Sequence, residues 1–145
     1  MTVKQQVDYW LAGSYESLDT MRALIKSKKN PEALYFGHLA IEKMLKALCS
    51  VRRVQKRYIF GHDLKLLADR ANFWAMLTTV QQTELARITA FNIEGRYDDY
   101  KRKFKAQCTP QYTAQWAKVI EGWCKELKKL VVEERALLPN NTAAV

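Results

Sequence analysis

Arg57 and His62 are separated by four intervening residues in the segment RYIFGHDL, residues 57–64. A histidine gains and loses a proton near neutral pH, and an arginine can hold a phosphate and the charge developing on it. The pair therefore suits metal-independent RNA cleavage, in which a ribose 2′-hydroxyl attacks the adjacent phosphodiester. It equally suits a basic loop in which His62 caps or hydrogen bonds the start of the next helix. A second polar group lies in FNIEGRYDDY, residues 91–100, where Arg96 can grip a phosphate bidentately and Tyr97 can stack on a base. The alternative there is a turn in which Arg96 pairs with Glu94 or Asp98.

YFGHLAIEKMLKAL, residues 35–48, is the third stretch. His38 and Glu42 share a helical face at metal-ligand spacing, but no third ligand accompanies them, so a hydrogen-bonded histidine at the core edge is the expectation. Glu42 and Lys46 have the order that favours a helix ion pair, about 0.2–0.5 kcal/mol on an exposed face. From Lys43 to Phe60 the basic residues are Lys43, Lys46, Arg52, Arg53, Lys56 and Arg57, with no acid among them. A second cluster, KRKFK, occupies 101–105, and the net charge is +9. Such a surface attracts polyanions. Lys43, Lys46, Arg53, Arg57, Arg96 and Tyr97 are the candidate phosphate contacts, and Arg57 with His62 the candidate catalytic pair. No metal or cofactor is expected. The signatures of P-loops, dinucleotide-binding turns, zinc proteases and serine-hydrolase elbows are absent.

These residues need helices to position them. Thr2–Gln5 fits a capping box, and Val7, Leu11, Ser14, Leu18, Met21 and Ile25 follow at steps of three and four. Asn30-Pro31 starts a second helix, whose stripe is Leu34, His38, Ile41, Leu45 and Leu48. Periodicity lapses over 53–61, and Asp63 caps a short helix. Thr79–Gln82 fits another capping box and opens a fourth helix ending near Gly95, and 95–108 reads as a polar connection. Thr109-Pro110 begins a long last helix.

The expected fold is all-α: an up-and-down bundle of four long helices plus one short one. It forms a single domain over 1–138, and 139–145 is a loose tail. Cys49, Cys108 and Cys124 lack paired spacing and read as buried free thiols in a reducing compartment. With no membrane-length apolar run and no apolar leader, a cytoplasmic location is expected. Tyr9, Trp10, Tyr112, Trp116 and Trp123 exceed what a small core needs, so some are expected to meet a partner subunit.

Three elements in order, GHLAIEKMLKAL, GHDL and FNIEGRY, give the chain a resemblance to the HEPN domain family over roughly residues 7–130. The resemblance implies a dimerising helical bundle that binds nucleotide or RNA. It further implies work beside a small nucleotidyltransferase, in a toxin–antitoxin-like or regulatory pair. Catalytic members carry an arginine and a histidine with four to six residues between them near the start of a late helix. No histidine follows Arg96 in this chain, and Arg57 and His62 satisfy the spacing earlier. Phosphate binding is therefore the leading expectation, with an RNase and a pure protein-interaction module as alternatives.

Overall fold

Asp98 and Asp99 followed by KRKFK put acids at one end and bases at the other of a ten-residue stretch, the polarity that a helix dipole favours. In the computed structural model, which describes residues 1–145, that stretch is a helix and not a connection. The elements are α1 (Val3–Lys26), α2 (Asn30–Val51), α3 (Leu64–Arg70), α4 (Thr79–Glu94), α5 (Asp98–Gln107) and α6 (Pro110–Ala136). Short 3-10 turns cover Lys56–Tyr58 and Trp74–Met76. Only Phe104 of α5 is buried, so the stretch shows no apolar stripe by which periodicity could reveal it.

The caps explain most boundaries. Thr2 and Gln5 exchange hydrogen bonds at the start of α1, and Asp63 and Thr109 accept backbone amides at α3 and α6. The α4 box is shifted one residue from expectation: Thr78, not Thr79, pairs reciprocally with Gln81. A threonine at 78 places glutamine at the third helical position, which the reciprocal geometry requires. Asn30 is the first residue of α2 and not its cap. Its amide donates instead to the Cys108 carbonyl at 3.3 Å.

α2 is the centre of the bundle. It packs against each of the other five helices, and 15 of its 22 residues are buried. Such a helix cannot keep a wet face, so Glu42 and Lys46, expected outside, are 4% and 8% exposed. Gly37 lets α1 and α6 close on it, since a β-carbon there would lie 2.6 Å from Ile120 and 2.8 Å from Met21. One apolar cluster draws on all six helices.

The aromatic residues and the tail complete the picture. Trp123 is buried, and Tyr112 and Trp116 pack around Phe91, with the Trp116 and Phe91 rings 5.6 Å apart. These aromatics serve the chain's own core, leaving Tyr9 as the openly exposed ring of that group. The tail is also pinned. Val3 donates to Thr142 at 2.8 Å, Ala144 to Met1 at 3.2 Å, and Lys56 to Val145 at 2.7 Å. The chain ends thus satisfy each other's backbone groups. The three cysteines are buried and unpaired, and burial pushes their thiols up to about 11 for Cys49 and about 12 for Cys108 and Cys124. No helix is long and apolar enough to cross a membrane.

Candidate functional site

The basic run divides where α2 ends. Arg53 adopts the left-handed conformation, φ 63°, and Val54 donates to the Cys49 carbonyl at 2.9 Å, so the chain reverses there. Arg52, just before the reversal, is spent on structure. It grips Glu134 with two bonds of 2.9 Å and donates to the Ala71 carbonyl at 2.7 Å. Arg53 and Arg57, just after it, are exposed and enter no ion pair. Lys43 and Lys46, both expected to offer charge to a phosphate, face inward. Lys43 donates to Ser17 at 2.9 Å, and Lys46 bonds Glu42 at 3.0 Å with its ammonium 5.0 Å from the Trp10 ring centre.

Beyond Arg53 the connection returns along α2. Ile59 is buried as its anchor, and Gly61 turns the chain with φ +92°, a conformation that side chains disfavour. His62 is thereby set against α2. Its Nδ1–H donates to Glu42 Oε1 at 2.7 Å, while its backbone carbonyl accepts from His38 Nε2 at 2.8 Å. Both tautomers follow from these partners. A carbonyl can only accept, so His38 carries its proton on Nε2. The carboxylate likewise holds the His62 proton on Nδ1 and leaves Nε2 with a free lone pair.

The network is therefore dry at one end and wet at the other. His38 is fully buried, and its Nδ1 has no hydrogen-bond partner, lying 3.9 Å from Glu42 Oε1. Burial lowers its proton affinity, outweighing the opposing pull of the His62 carbonyl and Glu42. The His62 side chain is 49% exposed. A buried carboxylate orienting a solvent-facing imidazole can do two things. The imidazole can take or give a proton at Nε2, or it can hydrogen bond a phosphate oxygen there. His38, with Nε2 committed to a carbonyl, is not free to ligate a metal through that atom.

Arg57 and His62 share no hydrogen bond; the Arg57 guanidinium lies 4.8 Å from the Tyr58 ring centre. Arg96 pairs with neither Glu94 nor Asp98. Glu94 is taken by Arg87 at 2.9 Å, and Arg96 lies over the exposed Tyr97 ring and donates to its hydroxyl at 3.2 Å. The end of α4 rests on α2 as well: a β-carbon at Gly95 would sit 3.1 Å from Tyr35. Tyr35, His38 and Glu42 point to within a sixth of a turn of one another and span about 10 Å of helix axis. One face of α2 thus receives both the His62 connection and the Arg96 junction.

Glu42 is the residue of this site hardest to recognise in the sequence. Its spacing to Lys46 signals a helix pair, and only the return of the 53–61 segment brings His62 to its other oxygen. A search of known families matches residues 7–131 to the model of the HEPN domain. No curated protein and no solved structure matches the chain.

Proposed function

The chain belongs to the HEPN domain family, a membership that ties it to nucleotide- or RNA-related function, and on that premise we propose that it binds the phosphate of a nucleotide or of RNA at the connection between α2 and α3. The observation that carries the reading is His62, held by buried Glu42 with Nε2 toward solvent, in a segment whose arginines 53 and 57 have no carboxylate partner. Guanidinium groups supply charge and paired donors, and the imidazole supplies a directed contact. Arg96 and Tyr97 extend the same face. The chain acts in the cytoplasm as a homodimer beside a small nucleotidyltransferase, in a toxin–antitoxin-like or regulatory pair. Binding is tested by fluorescence anisotropy with labelled RNA and nucleotides over a range of salt. Affinity falling steeply with salt is expected; failure of both ligand types to bind at low salt would refute the reading. Co-purification with the product of an adjacent nucleotidyltransferase gene tests the partner.

The Glu42–His62 hydrogen bond specifically favours a second reading, metal-independent RNA cleavage. His62 Nε2 would take the 2′-hydroxyl proton as the 2′-oxygen bonds phosphorus. The 5′-oxygen would leave with a proton from water, His62 would return its own proton to solvent, and Arg57 would stabilise the charge on phosphate. Incubation of RNA with chelator and either wild type or His62→Ala decides it. Cleavage by wild type alone supports it, whereas equal cleavage by both, or by neither, contradicts it.

A further inference from the structure

Tyr58 and Phe60 flank the buried anchor Ile59, yet they are 43% and 54% exposed. Two large rings turned to solvent on one short connection bring nothing to the core. They do organise cations. The Arg57 guanidinium lies 4.8 Å from the Tyr58 centre, and that of Arg70 lies 4.6 Å from Phe60 and 6.0 Å from Tyr58. Arg70 also donates to the Tyr58 carbonyl at 2.6 Å, which ties α3 to the connection. The acids nearby leave these arginines alone. Asp63 is occupied with the amides of Lys65 and Leu66, and Asp69 forms no ion pair with Arg70. The result is a set of flat π surfaces and flat cations, two residues along the chain from His62.

We infer that Arg57, Tyr58, Phe60 and Arg70 form a stacking platform for unpaired nucleobases, so that the nucleic acid taken by this face is single-stranded. The inference rests on the phosphate reading above and narrows it. Bases stack on aromatic rings and on guanidinium planes alike, while the guanidinium edges keep N–H groups for phosphate. A duplex hides its base faces inside its own stack and offers this surface only its backbone. Rings are therefore of use here only if the strand is open, whereas a duplex site would need the charges alone.

The test is anisotropy with a short labelled single-stranded RNA lacking self-complementarity, and with the same strand annealed to its complement. Wild type, Phe60→Ala, Tyr58→Ala/Phe60→Ala and Phe60→Trp are compared after their melting temperatures have been checked. The single strand is expected to bind more tightly than the duplex. Phe60→Ala is expected to cost on the order of ten-fold in affinity for the single strand, and the double variant more. Because no charge is removed, the salt slope is expected to stay as in wild type, and Phe60→Trp is expected to retain affinity. Equal affinity for strand and duplex, or wild-type affinity in the double variant, overturns the platform and leaves the phosphate reading standing. Failure of wild type to bind either RNA overturns the platform, and it removes the phosphate reading as well only if nucleotides also fail to bind at low salt.

Discussion

The two halves of the basic run, Lys43–Arg52 on α2 and its C-terminal cap and Arg53–Arg57 beyond it, look alike in charge and differ in what surrounds them. On the helix each cation has a partner inside the fold: Ser17 for Lys43, Glu42 for Lys46, Glu134 for Arg52. On the connection Arg53 and Arg57 are exposed and lack one. Lys46 is buried and must be paired or its desolvation is uncompensated, and half-buried Lys43 and Arg52 spend their donors inside the fold, so this half is committed to stability. The connection costs little to leave charged in water, and its charge remains available to a ligand. Glu42 joins the two, giving one oxygen to Lys46 and the other to His62.

The largest effect is expected at that joint. Glu42→Ala strands the Lys46 ammonium and should cost about 3–5 kcal/mol, while Arg57→Ala should stay within about 0.5 kcal/mol. Urea denaturation measures both, and a mild Glu42→Ala would erase the distinction between the halves. Next come two glycines that serve different purposes. Gly37→Ala drives a methyl group into Ile120 and Met21 and should cost about 1–3 kcal/mol. Gly61→Ala meets open space, so only its φ of +92° is strained, at about 1 kcal/mol. That variant should lose RNA affinity out of proportion to its stability, because the turn delivers His62; loss of stability alone would contradict this.

A smaller effect concerns pH. His38 has its proton affinity lowered by burial, so below its ordinary value of 6.5 the unfolded chain binds the proton that the folded chain refuses. The stability from neutral His38 is fully present above 6.5 and is lost as pH falls toward the lowered folded value. Melts of wild type and His38→Gln from about pH 7.5 to about pH 5 should show the steeper decline in wild type. Parallel curves would mean that His38 is protonated within the fold.

Much of the bundle is legible in the sequence because caps and apolar spacing are local. Thr2–Gln5, Asp63 and Thr109 announce three helix starts, and GHLAIEKMLKAL with GHDL and FNIEGRY marks the family. α5 escapes because a helix with one buried residue has no period to read. Burial of Glu42 and Lys46 escapes for another reason. Their four-residue spacing is the same on a wet helix as on a central one, and only the number of helices packed around α2 decides between them. His62 is legible as a reactive residue, but its orienting carboxylate lies 20 residues earlier in the chain. Arg70 joins Tyr58 across 12 residues for the same tertiary reason.

Salt dependence of binding tests the division of the basic run most directly. The measurement is the slope of log affinity against log salt for a short single-stranded RNA, with wild type, Arg53→Ala/Arg57→Ala and Lys43→Met. Losing two phosphate contacts should flatten the slope by about 1.4, at about 0.7 per contact on a single strand, while Lys43→Met keeps the wild-type slope. An unchanged slope in the arginine variant, or a flattened one in Lys43→Met, would place the phosphate somewhere other than the connection.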